Sequence, residues 1–151
     1  MKNSKYYLSL ILFFIALSPS AEADENSKFL TFLEDEWQYE LRQSPVYATA
    51  MGVKGYETLW RDNSLEAIEA RRSHNKNTVE ALKGFEKENL SKANQLNLRL
   101  FTDLAKKEVE IAQFNRHLLP FNHRGGIQLA HEDAENLPFK NPQDYRFWIE
   151  R

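Results

Sequence analysis

Four histidines are the residues from which a metal site could be built, since the chain contains no cysteine. A zinc peptidase helix carries two histidines one turn apart, with a glutamate beside the first that activates the metal-bound water. Only His131-Glu132 begins this pattern, and Glu135 occupies the second ligand position. His131 and Glu135 would form a metal pair if the segment were helical, but two ligands without a third hold zinc weakly. A polar surface turn is the interpretation we favour.

Two further groups of polar residues could imitate a catalytic site. His117 and His123 flank Pro120 and do not share a helical face, so we expect them to be surface or supporting residues. The run Glu34-Asp35-Glu36 could present paired carboxylates, but charge runs usually lie on a solvated helix face.

Phosphate-binding and nucleophile motifs are also missing from the sequence. Gly125-Gly126 has no preceding strand signal and no following Lys-Ser/Thr, and no serine occupies a nucleophile-elbow pattern. We therefore predict no catalytic, cofactor-binding or metal-ligating residue in this chain.

The composition is that of a globular domain, with 42% hydrophobic and 28% charged residues. The net charge is −2 and the basic residues are interleaved with acidic ones, which argues against a nucleic-acid partner. Only 5 glycines and 5 prolines interrupt the chain, which favours helices. The absence of cysteine excludes disulfides, thiolate metal sites, cysteine nucleophiles and a lipidated N-terminal cysteine.

The N-terminus has the features of an export signal. Lys2 and Lys5 precede an apolar run at residues 6–17, and Ala21-Glu22-Ala23 supplies the small residues that a signal peptidase reads. An uncleaved membrane anchor is the alternative, but a membrane-spanning helix needs about 20 apolar residues. We predict cleavage after Ala23, a mature chain that starts at Asp24, and a periplasmic or extracellular location.

The apolar spacing and the breakers predict an all-α fold, an irregular bundle of about five helices with a loop before the last. The first helix is expected at residues 27–43, and the second at 45–51, opened by Pro45. Asn63 and Glu66 form a capping-box pattern for the third helix.

Arg72 interrupts the apolar stripe of the third helix. We expect its stem to pack and its head to reach solvent, as arginine stems commonly cover apolar surface. A buried charge facing a cleft is the alternative.

The last two helices have the strongest local signals. Ser91 is expected to cap the fourth helix, which carries a wide apolar stripe and ends near Pro120. A loop follows to Lys140, and Asn141 then caps the fifth helix, with Pro142 at its first position. The apolar face of the fifth helix begins with Tyr145, Trp148 and Ile149.

Three stretches of the sequence together resemble the bacterial domain-of-unknown-function family numbered 885. They are residues 37–52 with Tyr56 and 60–62, residues 118–128, and residues 137–151. The resemblance covers nearly all of the mature chain, in order and with similar gaps. It implies exported or lipid-anchored helical proteins that are several hundred residues longer. It also implies likeness to zinc metallopeptidases of the thermolysin-like clan, whose His-Glu-x-x-His helix lies in the C-terminal part.

The export signal gives a signal peptide at 1–23, and the resemblance implies that 24–151 is the N-terminal helical region of the family domain, incomplete at its C-terminus. The chain would then be a fragment of an exported zinc-metallopeptidase-like protein, inactive alone and without a cofactor, since zinc is implied only for full-length members. A peptide would be the substrate of the full-length protein. We expect no membrane contact after signal cleavage, and self-association through unpaired apolar helix faces. The alternative is a free-standing exported helical binding module without catalysis.

Overall fold

The computed structural model describes residues 21–119, 121–122 and 125–151 of the chain. Within these ranges the fold is all-α with no strand, as predicted. The five α-helices are α1 (Ala21–Gln43), α2 (Pro45–Ala50), α3 (Leu65–Leu82), α4 (Lys92–Ala112) and α5 (Pro142–Glu150). Three 3-10 helices lie between them, at Lys87–Asn89, Arg116–Leu118 and Ile127–Asn136.

Part of the predicted export signal, residues 1–20, lies outside the described residues, as do Pro120, His123 and Arg124. Cleavage after Ala23 therefore stays a prediction. No helix in the described part of the chain is both long and apolar enough to cross a membrane.

The helix starts follow the local cap signals closely. Ser91 caps α4 by accepting from the backbone N–H of Asn94 at 3.3 Å, as predicted. Asn141 and Asp144 form the capping box of α5, which begins at Pro142 as predicted. The prediction for α3 was wrong by one residue, because the cap is Ser64 rather than Asn63.

The α3 start is displaced by a short polar turn. The Asp62 carboxylate accepts from the Ser64 backbone N–H at 2.8 Å, and the Ser64 hydroxyl accepts from the Ala67 N–H at 3.2 Å. The chain thus enters the helix at Leu65, with Asn63 inside the turn.

Two boundaries differ more strongly from the expectation. The helix α1 begins six residues earlier, at Ala21, where alanine and acidic residues favour a helix N-terminus. The helix α4 ends at Ala112 instead of near Pro120. Asn115 adopts a left-handed backbone (φ 45°), a conformation that asparagine tolerates better than most residues and that does not continue a helix.

The core lies where α1 packs against α3 and α4. Phe29, Leu82 and Leu90 are buried there, and the Phe29 and Phe85 rings meet edge to face at 5.1 Å. Burying one such side chain stabilises the fold by roughly 1.5–3 kcal/mol. The partly buried residues around this cluster are Phe32, Leu33, Phe85, Leu98, Phe101 and Ala105.

A stripe of leucines on α4 faces away from this core. Leu96, Leu100 and Leu104 follow one another at helical spacing and are 47%, 50% and 61% exposed. Near the C-terminus, Ile149 of α5 is 83% exposed. A contiguous exposed apolar stripe such as the one on α4 is typical of an interaction surface.

Candidate functional site

A groove of about 1750 Å³ opens between the end of α1, the first half of α3, the second half of α4 and the segment after α4. Leu104 and Ile111 line it from α4, and Leu118 lines it from the Arg116–Leu118 turn. Tyr39 and Arg71 line it from α1 and α3. The groove therefore combines apolar surface with charged groups, as binding sites commonly do.

Arg72 ties the groove's two main helices together. Its Nη2 donates to the carbonyl oxygen of Ala112 at 3.0 Å and to Oδ1 of Asn115 at 2.7 Å. Its Nη1 pairs with Glu69, and the side chain is 22% exposed. The expectation that the head reaches solvent was wrong, because the guanidinium donates to the Ala112 carbonyl oxygen at the end of α4, where a cation is favoured. The alternative, a buried charge facing a cleft, fits in part, since Arg72 lines the groove but is still 22% exposed.

Arg71, the next residue, is held at the junction of α1 and α3. Its Nη1 donates to the Asp62 carbonyl oxygen at 2.8 Å and lies 3.3 Å from Oε1 of Gln43. Burial, and then the like charge of Arg61, lower the pKa of Arg71. Hydrogen bonds from Ser64 hold the pKa of Asp62 below its usual value. Arg61 and Arg71 thus bring two positive charges to one wall of the groove.

A second polar cluster lies at the α1–α3 contact, where Glu36 meets His74. The Nε2 atom of His74 is 3.0 Å from Oε2 of Glu36, and Thr78 Oγ1 is 3.3 Å from both carboxylate oxygens. The Tyr39 ring stacks on the His74 imidazole, with centroids 3.5 Å apart. Burial raises the pKa of the Tyr39 hydroxyl.

The Glu36 contact corrects the interpretation of the acidic run. Glu34 and Asp35 are exposed as expected, but the Glu36 side chain is only 17% exposed. Its position was predictable in part, because Glu36 and Tyr39 are three residues apart on α1 and His74 and Thr78 are four apart on α3. The pairing across helices could not be predicted from such spacing. Thr78 is buried at 5% exposure, so its hydroxyl is not open to a substrate, and the cluster links α1 to α3.

The sequence matches one protein family over residues 45–151, which is more than two thirds of the chain. That family is described as bacterial protein of unknown function, DUF885. The chain belongs to DUF885. The DUF885 match includes the groove walls from α3, α4 and the following segment, and the helix α1 precedes it. No curated protein and no solved structure gave a match.

The described part of this DUF885 chain does not fit a zinc ion. No group of three or more His, Asp or Glu side chains converges there. His131 and Glu135 are both exposed on the Ile127–Asn136 3-10 helix. With three residues per turn, side chains four apart point about 120° from each other, so this pair does not face one metal. His117 lines the groove, and His123 lies outside the described residues.

Arg151 anchors α5 of the DUF885 segment to α2 and to the loop before α3. Its Nη2 donates to Thr49 Oγ1 and to the Tyr56 carbonyl oxygen, both at 2.7 Å. Its guanidinium also lies 5.9 Å from the Trp60 ring and 5.6 Å from the Trp148 ring. Burial lowers the pKa of Arg151. The sequence pattern predicts no role for Arg151, because its partner Trp60 lies 91 positions away in the chain.

Proposed function

We propose that this DUF885 chain is exported and forms one wall of a peptide-binding cleft in a zinc-metallopeptidase-like protein, to which it contributes no zinc ligand. The groove between α1, α3 and α4 is the observation that carries the proposal. Its volume of about 1750 Å³ exceeds the roughly 300–1000 Å³ of sites for small molecules. A peptide in extended form fills such a groove better than a compact ligand.

The lining of the groove supports a peptide as the occupant. Leu104, Ile111 and Leu118 offer apolar contacts for side chains, and Asn63 and Asn75 offer amide groups for a peptide backbone. Apolar contact area with a few placed polar groups is the usual basis of such recognition. These residues bind and orient a peptide, and the hydrolytic chemistry is supplied by a part of the protein other than the described residues.

The exposed face of α4 supports a role within a larger assembly. Leu96 and Leu100 lie on the same stripe as Leu104, which lines the groove. Covering Leu96 and Leu100 with a further helical surface would bury apolar area and leave Leu104 open to the peptide.

The test begins with the DNA that follows codon 151. A coding sequence in the family pattern, with a His-Glu-x-x-His helix, is expected after a frameshift, an early stop or the end of the sequenced segment. A protein that joins the 151-residue chain to the product of that coding sequence should hold one zinc ion. It should also hydrolyse peptides in a chelator-sensitive way. A clean intergenic region would contradict the proposal and favour a free-standing binding module.

The 151-residue chain itself is the matched control for the joined protein. Purified, it should contain substoichiometric zinc and show no chelator-sensitive hydrolysis, because a catalytic zinc needs three converging ligands. Stoichiometric zinc that is lost in His131→Ala would overturn this assignment and place a metal site on the Ile127–Asn136 helix.

A further inference from the structure

We infer that Arg61 and Arg71 form a subsite for the C-terminal carboxylate of a peptide with an apolar last residue. The inference rests on the proposed peptide-binding role and names the end of the peptide that the groove selects. Both arginines line the groove, and Nη1 of Arg71 donates to the carbonyl oxygen of Asp62, the residue next to Arg61, at 2.8 Å. Two like charges held together at a partly desolvated site favour the binding of an anion.

Neighbouring acidic groups form no direct ion pair with either arginine. Within the described residues, neither Arg61 nor Arg71 has a carboxylate oxygen within 4.0 Å, since the ion pairs found involve Lys28, Lys54, Arg72, His74 and Lys83. The charges of Asp62 and Glu40 act on Arg71, but their carboxylates accept hydrogen bonds from other groups. Asp62 accepts from the Ser64 N–H at 2.8 Å, and Glu40 accepts from the Ser44 hydroxyl at 2.6 Å.

The surroundings of the arginines favour a chain terminus over an Asp or Glu side chain. Leu65, which is 64% exposed, and Ile68 line the groove from the same helix as Arg71, and Trp60 lines it beside Arg61. Only the last residue of a peptide carries a carboxylate and an apolar side chain on the same Cα. A planar guanidinium can bind that carboxylate with two parallel hydrogen bonds.

The experiment compares three dansyl-labelled tetrapeptides at pH 7 by fluorescence anisotropy with the purified full chain. The first is dansyl-Gly-Ala-Leu-Phe as the free acid, and the second is its C-terminal amide. The third is dansyl-Gly-Asp-Leu-Phe amide, which carries a carboxylate only on a side chain. The free acid should bind at least about tenfold more tightly than either amide, as expected for one hydrogen-bonded charge contact.

Two variants assign the selectivity to the arginine pair. Arg61→Gln and Arg71→Gln should each bring the free acid to within about twofold of the amide. Arg61 is exposed and makes no hydrogen bond within the described residues, so the Arg61→Gln variant is expected to fold. Arg61→Gln therefore tests the subsite even if Arg71→Gln loosens α3 by removing the Arg71 contacts. Lys76→Gln is the matched control, since Lys76 is exposed on α3 outside the groove lining, and it should retain the full preference.

Each remaining outcome contradicts the inference in a recognisable way. Equal binding of acid and amide would overturn the carboxylate subsite and leave the peptide-binding groove intact. Binding of the Asp-containing amide as tight as that of the free acid would show recognition of a side-chain carboxylate instead of a terminus. Failure of all three peptides to bind would overturn both the subsite and the peptide-binding role. Retention of the preference in Arg61→Gln with a folded protein would show that the arginine pair does not form the subsite.

Discussion

The guanidinium of Arg72 donates a hydrogen bond of 3.0 Å to the carbonyl oxygen of Ala112, which joins the first half of α3 to the last turn of α4. The two residues are 40 positions apart in the sequence. The contact places a positive charge at the negative end of the α4 dipole and satisfies a carbonyl that has no partner within the helix. It therefore holds together two of the helices that line the groove.

Replacing this arginine should destabilise the chain without changing its helical fold. For Arg72→Met we expect the free energy of unfolding to fall by about 1 kcal/mol, and by no more than about 2, since the site is partly buried. Urea unfolding followed by far-UV circular dichroism measures the change. Arg99→Met is the control, because Arg99 is an exposed arginine on α4. An equal effect of both substitutions would show that the Ala112 contact contributes nothing specific.

The Glu36–His74 pair gives a second stability prediction. Glu36→Ala removes the carboxylate that contacts both His74 and Thr78, so these two side chains lose their hydrogen-bond partner at the α1–α3 contact. Such a loss costs about 1–3 kcal/mol. The neighbouring Asp35→Ala should change the free energy of unfolding by less than about 0.5 kcal/mol, as exposed sites usually do. Comparable losses in the two variants would restore the interpretation of the whole acidic run as a solvated face.

The capping box of α5 predicts a pH dependence. Hydrogen bonds from the backbone N–H groups of Lys140 and Asn141 hold the pKa of Asp144 below its ordinary value. A carboxyl whose folded pKa is lowered adds stability above its unfolded pKa of about 3.9, and that stability is lost as the pH falls through the lower folded value. Fluorescence of Trp148 should therefore report loosening of α5 as the pH falls below about 4.

Asp144→Asn and Glu150→Gln provide the comparison for this pH dependence. Asp144→Asn removes the titrating group, so α5 should be weaker at neutral pH and its fluorescence should change less between pH 4 and pH 2. Glu150→Gln changes the charge at the other end of the same helix and should leave the transition in place. An unchanged acid transition in Asp144→Asn would show that another carboxyl controls the docking of α5.

Local signals in the sequence predicted much of the helical fold and little of the groove. Ser91, Asn141 and Pro142 act on the backbone within a few residues, so their roles could be read directly. The contact between Arg72 and Ala112 and the approach of Glu36 to His74 depend on how α1 and α4 pack against α3, which no periodicity specifies. The end of α4 was also missed, because Asn115 adopts a left-handed backbone that asparagine alone does not predict.

Export gives a prediction that concerns the first 23 residues. Because a short apolar run is followed by Ala21-Glu22-Ala23, the protein recovered after export should start at Asp24. Intact-mass measurement of that protein distinguishes a processed chain from the full translation product. Recovery of membrane-bound protein that retains Met1 would show that the segment is an anchor.

The exposed apolar stripe of α4 predicts that the purified chain associates with itself. Leu96, Leu100 and Leu104 are 47%, 50% and 61% exposed and should promote self-association. The double variant Leu100→Gln/Leu104→Gln should reduce that association and the binding of an apolar dye while the far-UV helical signal is retained. Leu30→Gln is the matched control, because Leu30 is a similarly exposed leucine on α1, and it should have a much smaller effect.

The decisive measurement follows dye fluorescence during a thermal melt of the unmodified chain, with sedimentation velocity at several concentrations. If this chain forms one wall of a larger cleft, it should bind the dye at low temperature. It should also sediment as a mixture of species whose proportions depend on concentration. Its helical signal should be lost in a broad transition with a low midpoint temperature. A strictly monomeric protein that binds no dye and melts in one sharp two-state transition would contradict the account.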